Sequence, residues 1–300
     1  MPIHERSYRH WEGKRRGRLS RSLTIARSGV ALALKKRGLV ALVLLGITPA
    51  FIFGVLLYQA SKVEEFMGLA SHLLWGIDWS GLLGKTPTTQ TIWQMLFSKF
   101  LIVQLIPVGI VVAYVGPELI SLDLRVRALQ IYFSRPLTRA DYLLGKLMVI
   151  GVFVAMVTLV PGVLLYLVGV VLEKSIHVVA ETYTVFLAVL GAYVLITLVA
   201  GAVVLACSSL SRRSGYVVVL WVMLIILGEV AHGLVGDAMA QSWSHLLSLR
   251  ANVAQVLSRL FNVAPEYKFD WAASLFVLGV VFLAAVGVLF TRLQSLEGEH

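Results

Sequence analysis

Long apolar runs, separated by shorter polar segments, repeat along the whole chain. Five uncharged runs occupy 38–61, 100–117, 147–172, 182–211 and 271–291, and a sixth, 214–235, is interrupted by Glu229 and His232. A helix rises 1.5 Å per residue, so about 20 apolar residues cross a hydrocarbon core of about 30 Å. The pattern predicts an all-α membrane protein with six transmembrane helices, at 39–59, 99–119, 147–171, 183–208, 215–235 and 271–291.

The composition agrees with this class. Of 300 residues, 58% are hydrophobic and 14% are charged, whereas about a quarter of the residues in a soluble domain are charged. A soluble fold of this length would leave much of that apolar surface in water, because the buried fraction rises slowly with size. The one cysteine, Cys207, lies in an apolar run, so we expect it to pack as a small hydrophobic side chain.

The basic residues predict the orientation of the helices. The segments 1–38, 120–146, 209–214 and 292–300 would share one side of the membrane, and they hold 19 of the 26 Lys and Arg residues. Because Lys and Arg concentrate in cytoplasmic segments, both termini are predicted to be cytoplasmic. These basic residues are then expected to contact anionic lipid headgroups. We expect no nucleic-acid partner, since no stacking aromatic residues accompany the basic residues.

The chain divides into a basic cytoplasmic tail, 1–37, a transmembrane domain, 38–291, and a short cytoplasmic tail, 292–300. Within the first tail, 19–34 is predicted to be an amphipathic helix on the inner membrane surface. Its apolar positions recur at helical spacing, and cations accompany them; the apolar set is Leu19, Leu23, Ala26, Val30 and Leu34, and the cations are Arg21, Arg27, Lys35, Lys36 and Arg37.

Two segments on the predicted outer side, 60–98 and 236–270, are too apolar to be simple loops. We expect each to form a helix at the outer face, over 63–84 and 238–262, that either caps the spans or dips partway into the bilayer. The second helix would present one apolar face, made of Met239, Trp243, Leu246, Val253, Leu257 and Leu260. Tryptophans in both segments favour the membrane interface.

The segment between the second and third spans, 120–146, is polar but highly patterned. Leu122, Val126, Leu129 and Phe133 lie on one stripe of an α-helix, so we predict a short amphipathic helix here. Ser121 would cap its N-terminus, and Asp123 in the first turn would complement the helix dipole; Arg125 and Arg127 point away from the stripe.

A second helix is predicted to follow a proline elbow. Pro136 ends the first helix because it forces Arg135 towards extended geometry. The sequence "TRAD" is then typical of a capping box, with Thr138 as the cap and Asp141 three residues later. The new helix continues through Tyr142 and Lys146 into the third span.

This stretch, "DLRVRALQIYFSRPLTRADYLLGK", resembles the cytoplasmic loop between the second and third spans of ABC-2 type transporter permeases. That family's loop has an acidic residue, an amphipathic helix, an "S-x-P-x-x-R" turn, an aromatic residue and "G-K". The matching positions here are Asp123, Ser134, Pro136, Arg139, Tyr142, Gly145 and Lys146.

The resemblance implies a permease subunit of an ABC exporter in a bacterial or archaeal cytoplasmic membrane. Its partners would be two copies of a cytoplasmic ATPase subunit and a second permease, identical or similar. The loop would carry the coupling helix that docks on the ATPase. The residues expected to make or support this contact are Asp123, Arg125, Arg127, Leu129, Phe133, Ser134, Arg135, Pro136, Arg139, Tyr142 and Lys146.

The chain itself is not expected to be an enzyme. "GLLGKT", 81–86, lacks the earlier glycine of a phosphate-binding loop, because Trp79 stands at that position. ATP and Mg²⁺ would therefore be used by the partner ATPase, and we expect no cofactor, metal or catalytic residue in this chain.

Glu229 and His232 form a polar pair, "EVAH", within the fifth span. Ionisable groups in a membrane usually face protein or water, so Glu229 could contact a substrate, pair with His232 or lie near the outer interface. Two other functions remain open: an ion-coupled secondary transporter using these residues, and a non-transporting scaffold or assembly subunit. A membrane enzyme is a remote further alternative.

Overall fold

The computed structural model describes residues 17–60, 89–128, 137–173, 177–239, 243–267 and 270–298. These residues form helices and no strand. The helices are α1 (Arg18–Leu34), α2 (Arg37–Ala60), α3 (Thr89–Arg125), α4 (Arg139–Val157), α5 (Leu159–Leu172), α6 (His177–Leu210), α7 (Ser214–Met239), a 3₁₀ helix (Ser244–Leu247), α8 (Leu249–Leu260) and α9 (Trp271–Gly298).

Six helical segments in the described part of the chain are long and apolar enough to cross a membrane, which confirms the predicted number of spans. They are Arg37–Gln59, Thr89–Arg125, Arg139–Leu172, His177–Leu210, Ser214–Val235 and Trp271–Ser295. The second span is longer than predicted, because α3 has 37 residues and so reaches about 55 Å, well beyond a hydrocarbon core.

The bundle is organised around α3 and α6, which pack closely along their lengths. Glycine permits this approach: a Cβ atom at Gly116 of α3 would lie 2.4 Å from a side-chain carbon of Val204 on α6. Gly201 of α6 meets Leu147 of α4 in the same way, at 2.4 Å. Small residues let membrane helices gain dispersion contacts without a water-driven hydrophobic effect. Of the six spans, α7 is the least buried.

Pro117 does not end α3, and the prediction that a new helix begins at Ser121 is wrong. The Ser208 hydroxyl, from α6, accepts hydrogen bonds from the backbone N–H groups of Ile120 and Ser121, both at 3.1 Å. The same hydroxyl donates to the Pro117 carbonyl at 2.8 Å, and the Ser121 hydroxyl donates there too. The Ser208 hydroxyl is thus inserted into the backbone hydrogen-bond ladder of α3 in the turn that follows Pro117.

The third span is divided into α4 and α5 at Thr158, whose φ of −111° departs from the regular helical value although its backbone stays in the right-handed helical region. Pro161 has no N–H to donate to the carbonyl of Val157, four residues earlier. The amide nitrogen of Gln104 on α3 donates to that carbonyl instead, and also to the carbonyl of Gly46 on α2 at 2.8 Å. One buried amide therefore ties three spans together at the break.

The fold has two distinct ends. We call the end that carries Asp123, Lys146 and α1 the α1 end, and the opposite one the α8 end. Within the predicted outer helix 238–262, the described part holds a 3₁₀ turn followed by α8, which is shorter than predicted. All residues from 251 to 258 are buried, because α8 is inserted among α3, α6, α7 and α9.

Candidate functional site

The two ends of the 126–138 loop are joined by a buried polar cluster at the α1 end. The Tyr142 hydroxyl donates to the Asp123 carboxylate at 2.7 Å, and the Lys146 ammonium lies 2.7 Å from the same oxygen. The side chains of Lys146 and Asp123 are only 11% and 12% exposed. The ammonium also lies 5.3 Å from the centre of the Tyr142 ring. Asp123 is on α3 and the other two are on α4, so the cluster clamps the base of the loop.

The capping box at the start of α4 is present as predicted. The Thr138 hydroxyl accepts a hydrogen bond from the Asp141 N–H at 3.2 Å, and the Asp141 carboxylate accepts one from the Thr138 N–H at 3.3 Å. The box satisfies two N–H groups that a helix start leaves unpaired. The direction in which the chain enters α4 is therefore fixed at the loop's second end.

A helix, α1, is present close to the predicted bounds 19–34, and it packs along α4 through a face of small residues. The Ser22 hydroxyl donates to the Asp141 carbonyl at 2.9 Å. A Cβ at Gly145 would lie 2.8 Å from Ile25, and one at Gly29 would lie 2.7 Å from Val149. Of the predicted apolar stripe, Ala26 is buried, Val30 is half-buried, and Leu19, Leu23 and Leu34 are exposed.

A second cation links α1 and α2 to α3. The Lys36 ammonium forms an ion pair with the Glu118 carboxylate and lies 5.7 Å from the centre of the Tyr114 ring. This pair and the Lys146–Asp123 pair both line a cavity of about 280 Å³ between α1, α2, α3 and α4. The α1 end therefore contains two ion pairs that bridge neighbouring helices.

The remaining predicted loop residues are only partly described. Arg125 and Arg127 are exposed, whereas Arg139 is half-buried and makes an interaction. Helix α3 ends at Arg125, and Arg127 has φ 55° in the left-handed region. The predicted stripe of Leu122, Val126, Leu129 and Phe133 is therefore interrupted after its second residue. Five predicted residues of the loop lie outside the described part: Leu129, Phe133, Ser134, Arg135 and Pro136. The predicted helix over 63–84 also lies outside it.

At the α8 end, Glu229 pairs with Arg250 rather than with His232. The Arg250 guanidinium donates to the Glu229 carboxylate at 2.9 Å, and the Ser248 hydroxyl donates to its other oxygen. Ser248 also caps α8, accepting a hydrogen bond from the Ala251 N–H at 3.0 Å. Nδ1 of His232 is instead 3.1 Å from the Ser244 hydroxyl. Of the roles left open for Glu229, a pair with His232 is not the one in the structure, where its partners are Arg250 and Ser248.

Arg250 stays strongly cationic in this arrangement. Partial burial works against its charge, but the hydrogen bond to Glu229 and the charge of that carboxylate outweigh the burial, so the pKa of Arg250 is raised. Burial, followed by the charge of Glu266, raises the pKa of nearby Tyr267. The Gln255 amide holds the Tyr267 backbone through two hydrogen bonds, both at 3.1 Å.

A cavity of about 500 Å³ lies between α3, α6, α7 and α8. Its wall is apolar except for the Glu229–Arg250 pair. Trp221 and Val253 are buried in its wall, whereas Ile106 and Ile226 are exposed at its edge, at 63% and 54%. The edge residues belong to α3 and α7, so the cavity opens sideways between two spans.

Several residues described above escaped prediction, among them Gln104, Ser208 and Arg250. The role of Gln104 could have been recognised in the sequence, because a lone amide in an apolar run usually forms a hydrogen bond to a neighbouring helix. Ser208 and Arg250 had none, because their partners lie far away in sequence. Among the described residues, no group of three or more His, Cys, Asp or Glu could hold a metal ion.

Comparison with known proteins adds no assignment. No protein-family model matches the chain, and no curated protein matches it. The interpretation of both sites therefore rests on the sequence and on the geometry above.

Proposed function

We propose that the chain is the membrane-spanning permease subunit of an ABC-2 type exporter. Two copies of a separate cytoplasmic ATPase subunit hydrolyse ATP, and this chain supplies no catalytic residue. The permease pairs with an identical or similar permease in a bacterial or archaeal cytoplasmic membrane. The α1 end and both termini are cytoplasmic in this proposal, in agreement with the distribution of Lys and Arg.

The observation that carries the proposal is the clamp at the base of the loop. A coupling loop must move as a unit with its spans, since a flexible base would absorb the displacement. Asp123 at the end of α3 is bonded to both Tyr142 and Lys146 at the start of α4. The capping box between Thr138 and Asp141 stiffens the α4 side further.

The clamped base leads directly into the core of the bundle. Helix α4 runs from the loop to the break at Thr158, where Gln104 bonds the Val157 and Gly46 carbonyls. Helix α1 packs along the first half of α4. A push on the loop would therefore displace α1, α3 and α4 together and bend the third span at Thr158. This path fits a subunit that converts an external movement into a change of the bundle.

The test is co-purification from native membranes in mild detergent, with bound proteins identified by mass spectrometry. The tagged chain is expected to capture a soluble ATPase, and Leu129→Asp is expected to lose it while remaining inserted. Leu210→Asp is the matched control, because Leu210 is an exposed leucine at the end of α6, at the α1 end but outside the loop. Normal ATPase capture by Leu129→Asp would contradict the proposal.

The same purified chain separates the alternatives. An ion-coupled secondary transporter would purify alone and carry a proton flux in liposomes that Glu229→Gln abolishes. The observation in its favour is that Glu229 lines the large cavity; against it, Arg250 and Ser248 already occupy both carboxylate oxygens. A scaffold would instead retain a partner whose binding does not respond to nucleotide.

A further inference from the structure

We infer that the large cavity between α3, α6, α7 and α8 binds a zwitterionic amphiphile that enters sideways from the bilayer. Its apolar chain lies against α3, α6 and α7, and its headgroup meets the Glu229–Arg250 pair. If the bound amphiphile is taken to be the exported substrate, the inference rests on the proposed function. The existence of the binding site does not depend on that function and is argued from the cavity and its lining residues.

The size and lining of the cavity favour a hydrocarbon occupant. Its volume of about 500 Å³ falls within the range of small-molecule sites. Water gains little from such a wall, because it needs two to four polar partners and apolar cavities stay dry. A hydrocarbon chain restores the dispersion contacts that an empty cavity forfeits.

The opening of the cavity faces the hydrocarbon layer. Ile106 of α3 and Ile226 of α7 are exposed at its edge. Both residues lie in segments apolar enough to span the membrane. A ligand would therefore enter from the lipid phase between these two helices. Such a path suits a molecule that already resides in the membrane.

The polar end of the cavity selects the headgroup. Arg250 and Glu229 together carry no net charge. A simple anion is attracted to Arg250 but repelled by Glu229, and a simple cation is attracted to Glu229 but repelled by Arg250. A headgroup with both an ammonium and a phosphate satisfies both partners. The guanidinium has five N–H donors, and its side chain is 36% exposed. Glu229 is 31% exposed, and carboxylate oxygens accept more than one bond.

The experiment is photolabelling of the full-length chain, without any ATPase, in phosphatidylglycerol nanodiscs. Three trace probes carry the same diazirine acyl chain: a phosphatidylethanolamine, a phosphatidylglycerol and a diacylglycerol. The phosphatidylethanolamine probe is expected to label cavity residues about tenfold more than either other probe. Adducts are located by peptide mass spectrometry.

Two sets of variants test the parts of the site separately. Ala113→Phe fills the cavity and should abolish cavity labelling by every probe, whereas Ala284→Phe, at an exposed position on α9, should not. Glu229→Gln leaves a lone cation and should reverse the preference towards phosphatidylglycerol. The double variant Glu229→Gln with Arg250→Gln should label equally with all three probes.

Several outcomes would overturn the inference. Adducts spread evenly over the lipid-facing helices, or unchanged in Ala113→Phe, would show that the cavity holds no ligand. A native preference for phosphatidylglycerol would refute the zwitterionic headgroup. Cavity labelling that is present in nanodiscs holding one copy of the chain and lost in nanodiscs holding two would make the cavity a protein interface. The labelling is done without any ATPase, so its result does not depend on the co-purification test. If ATPase capture fails and the cavity is still labelled, the exporter function is refuted and the binding site is retained.

Discussion

The Lys146 ammonium and the Asp123 carboxylate lie 2.7 Å apart across the base of a loop, although they belong to different spans. Tyr142 donates to the same carboxylate oxygen, so one acidic side chain of α3 holds two side chains of α4. Burying a charge is costly unless it is paired and hydrogen-bonded. The geometry of this loop is therefore coupled to the integrity of a single ion pair.

Lys146→Met is expected to destabilise the protein by about 3 kcal/mol, because it leaves the Asp123 carboxylate buried without its cation. The midpoint of thermal unfolding in detergent should fall by roughly 6–12 °C. Adding Asp123→Asn should recover part of the loss, since the remaining uncompensated charge is removed. A double variant less stable than Lys146→Met would contradict the assignment of this pair.

Gln104→Leu is expected to cost about 1–3 kcal/mol, because the Val157 carbonyl loses a donor that Pro161 cannot replace. Thermal unfolding of the purified protein measures the effect. Pro161→Ala restores an N–H at the position four residues after Val157, so the double variant should lose less than Gln104→Leu alone. Additive losses in this cycle would show that the two residues act independently.

Gly116→Ala is expected to destabilise the bundle by about 1–3 kcal/mol, since its methyl group would lie 2.4 Å from Val204. Adding Val204→Ala should relieve the clash and restore much of the stability. Gly279→Ala on α9 is the matched control, because a Cβ there meets nothing within 4 Å. Equal unfolding midpoints for Gly116→Ala and Gly279→Ala would refute close packing between α3 and α6.

Gly145→Leu is expected to displace α1, because a Cβ at this position already lies 2.8 Å from Ile25 and 3.0 Å from the Ser22 carbonyl. A released 17-residue helix is marginal by itself. Limited trypsin digestion at Arg21 and Arg27 should therefore become several-fold faster. Gly287→Leu, at an open position on α9, should leave the cleavage rate unchanged. Unaltered cleavage in Gly145→Leu would mean that α1 is not held by α4.

The number and approximate positions of the spans followed from the sequence alone. A backbone in hydrocarbon has no water to bond, so an apolar run of about 20 residues has few alternatives to a helix. The capping box of Thr138 and Asp141 was equally predictable, because its partners are three residues apart and the helix geometry itself brings them together. These features depend on local order along the chain.

Only the tertiary structure decided how the helices pair. Ser208 of α6 donates a hydrogen bond to the α3 backbone at the Pro117 carbonyl. Arg250, rather than His232, is the partner of Glu229. Gln104 bonds carbonyls on two other spans. Hydropathy treats every apolar face alike, since lipid and protein offer similar surroundings to a leucine. Small residues, unpaired carbonyls and buried charges determine which helices pack together, and the partners of these groups lie far away along the chain.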